Sequence, residues 1–250
     1  MFLELRADCI VETGERLRDR IRERFPDANL GRVAAELVEV ARKHAERSAA
    51  IRKPSLWLRV VGIVGLLAVL AVLILAIQAV HPTFEDNWPL REVLAAVEAT
   101  VATTVFLGAA VVFVWNLDVR QKRARCLDAI HEMRAMAHIV DMHQLTKDPD
   151  RVVRDVCDTK SSPKRTMSGA ELARYFDYCS EMLSLIGKVA ALYVQGFSDP
   201  VALQAVDDIE NMTTALSRKI WQKIMILEQA DSDVVQKVAK QNAKQIEKKA

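Results

Sequence analysis

The stretch VVGIVGLLAVLAVLILAIQAV, residues 60–80, runs for 21 residues without a charged side chain. At about 1.5 Å per residue, a helix of that length crosses a hydrocarbon core about 30 Å thick. It lies too far into the chain, behind too many charged residues, to be a cleaved signal peptide, so it predicts a transmembrane helix. A second apolar run, from about Val93 to Leu117, is interrupted only by Glu98 and predicts the return span.

Charge on either side of these runs sets the expected topology. The connection HPTFEDNWPLR, beginning at His81, is short and slightly acidic. By contrast Arg52, Lys53 and Arg59 precede the first run, and Arg120, Lys122, Arg123 and Arg125 follow the second. Basic flanks stay on the cytoplasmic side, which predicts a multi-pass protein of a bacterial-type inner (plasma) membrane with both termini in the cytoplasm. Trp57, Trp88 and Trp115 stand near span ends, where aromatic rings anchor at the interface.

Within the second run, Glu98, Ala102, Val105, Ala109, Val112 and Asn116 recur at spacings of four and three, forming one stripe that begins and ends on a polar residue. The stripe reads either as a packing face or as the lining of a pore built by several copies, with Glu98 as an acidic ring at its outer mouth. Thr100, Thr104 and Gly108 form a small-xxx-small row of the kind that lets helices approach closely.

The rest of the chain reads as helix. Gly and Pro are scarce, at 8 and 7 of 250 residues, and there is no sustained alternating strand pattern. The 35 Lys plus Arg nearly balance the 33 Asp plus Glu, so no nucleic-acid partner is expected. Cys9, Cys126, Cys157 and Cys179 are widely spaced, without a CxxC pair, so neither a zinc knuckle nor a disulfide framework is expected. The predicted fold class is an all-α integral membrane protein, a two-span hairpin carrying a cytoplasmic helical bundle. The expected divisions are an N-terminal arm at 1–54, the hairpin at 55–118, the bundle at 119–230 and a Lys-rich tail at 231–250.

Apolar periodicity places the bundle helices. Leu3, Ile10, Leu17 and Ile21 mark one helix of the arm and Leu30, Val33, Leu37 and Val40 a second, parted by Phe25-Pro26-Asp27. Arg16, Arg18, Arg20, Arg22 and Arg24 alternate with acidic residues as a solvated face. Helical pattern resumes after the second span and continues to about Leu145, where Thr146-Lys147-Asp148-Pro149 breaks it. A short helix is expected through Val152, Val153 and Val156. Ser168 with Glu171 forms a capping box before a helix to about Gln195, with Leu172, Phe176, Cys179, Leu183 and Ile186 inward. Gly196 ends it, Asp199 caps the next, and Pro200 begins a helix to about Ala230 with Leu203, Val206, Leu216, Ile220 and Leu227 as its apolar positions.

Chemistry concentrates between His131 and Asp150, HEMRAMAHIVDMHQLTKDPD. On a helical wheel His131, Arg134, His138 and Asp141 share one arc, with Leu127 and Leu145 inside it and Ala129, Met133, Met136, Ala137 and Val140 opposite. The arc predicts a polar seam against another helix, of the same chain or of a neighbouring copy. His131-Glu132-Met133-Arg134 also resembles the start of the H-box of sensor histidine kinases, and that resemblance implies a phosphoacceptor role for His131. It covers four residues; the family continues with a small polar residue and Pro where Ala135 and Met136 stand here. No glycine-rich nucleotide-binding domain follows, so at most phosphotransfer is implied.

Two further sites are weighed. His138 and Asp141, at i and i+3, would share a metal only with carboxylates from facing helices such as Asp177, Glu181, Asp207 or Glu210. Lys160, Lys164 and Arg165 precede a helix N-terminus and form a candidate anion site. No nucleophile with a neighbouring base, Walker loop or HExxH is found, and no catalytic residue, metal or cofactor is assigned. The expected partners are the lipid bilayer, further copies of the chain, and a cytoplasmic anionic ligand or protein. The expected function is a homo-oligomeric membrane effector, channel-like or signalling. The alternative is a tethered binding or phosphotransfer module.

Overall fold

The computed structural model describes residues 4–53, 56–80, 90–150, 160, 162 and 167–247. Among them there are helices and turns and no strand. The helices are α1 (Ala7–Arg24), α2 (Leu30–Arg52), α3 (Leu56–Val80), α4 (Leu90–Leu145), α5 (Gly169–Ala191) and α6 (Pro200–Glu247). The chain divides into two compact units, one of Met1–Ala50 with Cys126–Ala250 and one of Ile51–Arg125. The N-terminal arm thus belongs to the same unit as the helices that follow the second apolar run.

In the first unit local sequence sets the helix ends. The Ser168 hydroxyl accepts the Glu171 N–H while the Glu171 carboxylate accepts the Ser168 N–H, the reciprocal box expected at the start of α5. Asp199 accepts the Val201 and Ala202 N–H groups and so caps α6, which opens on Pro200. Between them α5 stops at Ala191, a turn short of the predicted Gln195, and Gly196 carries the reversal at φ 105°. Lys223 of α6 serves α4 in the same way. Its ammonium donates to the carbonyls of Gln144 (3.0 Å) and Lys147 (3.1 Å) and to Gln144 Oε1 (2.6 Å), closing the helix where Thr146 and Pro149 break the pattern.

Packing follows the predicted apolar faces. Ile10, Leu17 and Ile21 of α1, and Leu30, Val33 and Leu37 of α2, are buried; Val40 is only half-buried, between the inward Val38 and Ala41, and Leu3 lies outside the described residues. So are Ala129, Met133, Met136, Ala137 and Val140 of α4, and all five inward positions of α5. Leu203 departs from expectation at 46 % exposure, because Ala202 and Val206 occupy the inward positions on either side of it. Close approaches fall at small residues: a Cβ on Gly14 would lie 3.4 Å from Val38 Cγ2, and one on Gly187 3.4 Å from Thr213 Oγ1. Beyond Asp231, where the sequence predicts the Lys-rich tail as a frayed or exposed helix, α6 stays helical to Glu247.

The second unit turns its apolar surface outward. Ile63, Val64, Leu66, Leu67, Leu70 and Leu75 of α3, and Val101, Val105, Phe106, Val112 and Phe113 of α4, are each more than half exposed. By length and composition one described helix is able to cross a membrane, the stretch Val97–Leu145 of α4, whose most apolar window has mean hydropathy 2.0 and no buried residue. In α3 the described apolar stretch is the shorter Val60–Leu75. The two helices touch where a Cβ on Gly65 would meet Val111 Cγ2 at 3.0 Å. Thr100, Thr104 and Gly108 are half-buried, but Gly108 has no neighbour within 4 Å, so Gly65 rather than that row makes the close contact. The connection around Trp88, the side chains of Trp57 and Trp115, and the helix expected at 152–156 lie outside the described residues.

Candidate functional site

The polar centre of the first unit is built around Glu132, the residue beside the first histidine of the HEMR motif. It brings together α2, α4 and the turn after α5. His44 sits in the apolar stripe of α2 that runs through Leu37 and Ala41, and it is fully buried. Its Nδ1 lies 2.5 Å from the Tyr193 hydroxyl and its Nε2 3.2 Å from Glu132 Oε2. Lys43 and Arg47, on the rim of the same helix, reach the same carboxylate at 2.9 and 2.7 Å.

Electrostatics fixes the proton positions. Burial pushes the Glu132 carboxyl up, but hydrogen bonds from Arg47 and Lys43 and the charges of His44 and Arg47 outweigh it and hold the pKa at about 2. Burial, joined by the charges of Arg47 and Lys43, lowers the His44 pKa against the raising effect of Glu132. Tyr193 is 1 % exposed and burial pushes its pKa up, so it keeps its proton. The consistent arrangement is a Tyr193 hydroxyl donating to His44 Nδ1 and a neutral imidazole donating from Nε2 to the Glu132 carboxylate. No solute reaches a ring so enclosed. The cluster clamps three segments together; it is not placed to turn over a substrate. The Cys126 and Cys179 thiols are buried, with pKa values pushed up to about 11 and about 12 by desolvation, which makes them poor nucleophiles.

The predicted site residues are placed differently. His131, Arg134 and His138 are exposed and Leu145 is 63 % exposed, while Leu127 and Asp141 are half-buried, so among the described residues no helix of the same chain covers the three basic positions of the arc. The physical reason is that α4 turns its other side, through Met133, Ala137 and Val140, to its neighbours. Asp141 is half-buried and accepts the Gln144 side-chain amide at 2.6 Å, which ties it to the end of its own helix. No three His, Cys, Asp or Glu side chains converge as a metal site among the described residues, so the pair His138 and Asp141 lacks its facing carboxylates there. Glu181, one of those proposed, is instead paired with Arg20 of α1. Lys160 is exposed, and Lys164 and Arg165 lie outside the described residues.

The stripe and the arc share a feature that neither has alone. Glu98, Ala102, Val105, Ala109, Val112 and Asn116 are all exposed. By spacing alone, at about 100° per residue, they share one arc of a helical wheel with His131, Arg134, His138 and Asp141. Arg120, Arg123 and Leu127 bridge them at the same alternating spacings of four and three.

His44 carries a legible signal: a histidine at a core position of an amphipathic helix, with Lys43 and Arg47 beside it. Its partners, 88 and 149 residues away, carry none. No protein-family model, curated protein or solved structure matches the chain.

Proposed function

We propose that the chain is a homo-oligomeric inner-membrane effector, channel-like or signalling, in which α3 and α4 form a two-span hairpin. Its helical unit would sense a cytoplasmic ligand or partner and pass the event to the spans. The observation that carries this reading is the sequence spacing on α4, which keeps Glu98 through Leu145 on one arc of a helical wheel. An exposed apolar surface as wide as that of α3 and the first part of α4 is at home in lipid, and a stripe with Glu98 at one end and Asn116 at the other is best accommodated where copies meet. The exposed His131, Arg134 and His138 then belong to the same meeting between copies, as the seam with a neighbouring chain. Both termini lie on the cytoplasmic side in this reading.

The test is oligomeric state in detergent followed by conductance in reconstituted bilayers. A ring of four or more whose leak changes on Glu98→Gln and Asn116→Ala supports the pore form. A dimer with unchanged leak removes it and leaves signalling.

One observation favours a second reading, a tethered phosphotransfer module: His131 is open to solvent on a long helix, as a phosphoacceptor must be. Loss of acid-labile phosphate in His131→Gln of the full chain would support it. A fragment beginning at residue 119 is unsuited to this test, because α1 and α2 complete the unit in which α4 ends.

A further inference from the structure

At the end of the first unit farthest along α4, the last turn of α1, the turn leading into α2, the end of α4 and the start of α5 enclose a cavity of about 590 Å³. That volume is within the range of small-molecule sites and well above what a lone inorganic ion needs. Arg24, His143 and Lys147 contribute to its wall together with the rings of Phe25 and Tyr175. The Lys147 ammonium stands 5.6 Å from the centre of the Tyr175 ring, and the Tyr175 hydroxyl donates to the His143 carbonyl at 3.4 Å, so these groups are held in place. Two carboxylates also line the wall. Glu171 is held ionised by the Ser168 backbone N–H and hydroxyl, both at 2.8 Å, and by the charge of Arg24, so it and Asp27 are the two charges an anion would have to outcompete for the cationic side chains. α2, which begins directly after the lining turn, has no acidic residue in its first turn to offset the positive end of its dipole.

We infer that this cavity binds a phosphate monoester larger than inorganic phosphate, its phosphate held by Arg24, Lys147 and His143 and its remainder seated against Phe25 and Tyr175. The assignment rests on the sensing role proposed above and gives that role a ligand class. Burial first, and then the charges of Arg32 and Lys147, lower the His143 pKa, so an anion bound beside the imidazole would raise it.

Calorimetric titration of the full chain in detergent with inorganic phosphate and with adenosine monophosphate tests the inference. Saturable binding is expected, tighter for the nucleotide. Lys147→Met and Arg24→Met should each weaken it at least about tenfold, while Lys219→Met, which removes the same charge from an exposed position on α6, leaves it unchanged. The Lys147 variant keeps the backbone carbonyl that Lys223 uses, and Arg24 is exposed, so the fold does not depend on either side chain. The His143 imidazole, followed by NMR, should titrate at higher pH once phosphate is bound. Absence of saturable binding up to about 10 mM, equal weakening by all three variants, or equal affinity for phosphate and nucleotide would each overturn the assignment. A protein that binds the nucleotide without any change in conductance or oligomeric state keeps the cavity and loses the coupling. One that conducts but binds neither probe keeps the coupling and loses the cavity.

Discussion

At the scale of single residues, the chemistry of the HEMR motif belongs to Glu132 and not to the histidine before it. Glu132→Gln removes the charge on which Lys43 and Arg47 converge. With 38 % of the side chain exposed, water screens much of that attraction, and the expected loss of stability is about 1–2 kcal/mol in chemical denaturation. His131→Gln, on the open face, should stay within about 0.5 kcal/mol. The same residues set the acid limb of the stability curve. His44 has a folded pKa below its ordinary 6.5, so its contribution is complete above about that pH and fades as the pH falls through the folded value. Glu132 behaves likewise lower down, with its contribution complete above 4.5 and lost as the pH falls toward about 2. Melting temperature should therefore begin to drop below about pH 6.5, and Glu132→Gln should flatten the stretch below 4.5 while deepening the loss on the His44 limb, because the carboxylate that raises the His44 pKa is gone. A melting temperature unchanged between pH 7 and pH 5 would refute the buried neutral imidazole.

At the scale of elements, what was legible in the sequence is what is local to it. The box of Ser168 with Glu171, the cap of Asp199 before Pro200 and the end of α4 at Leu145 all follow from a few neighbouring side chains, and the structure places them as read. The inward face of α4 was equally clear, since Met133, Ala137 and Val140 repeat at helical spacing. What was not legible depends on distant partners. Nothing near Gln144 announces that Lys223 closes that helix, and nothing near Glu132 announces His44. The wheel correctly separated a polar arc from an apolar side, but periodicity alone does not tell a face turned to solvent from one turned to another helix. Lys223→Met should cost about 1–3 kcal/mol by leaving the last carbonyls of α4 and the Gln144 side chain without their donor. Hydrogen exchange should localise the change to the residues around Gln144, with the start of α4 unaffected.

At the scale of the whole molecule, the proposed coupling makes a geometric demand. If the face of α4 acts as one surface, a single alanine inserted after Ala124 turns its two ends by about 100° and should abolish the response of the spans. Seven inserted residues make nearly two full turns, rotate the ends by only about 20°, and should restore it despite a helix about 10 Å longer. Equal activity for both insertions would mean that the membrane helices do no more than tether.

The unbroken course of α4 also bears on how such a chain can vary over evolutionary time. A loop between Asn116 and His131 would tolerate length changes of any size, whereas a continuous helix passes every inserted residue on as rotation. Heritable length changes there should survive mainly in steps of about seven or eleven residues, which bring the helix close to its starting orientation. The segment behaves as a ratchet on sequence drift, with neutral spacings separated by disallowed ones.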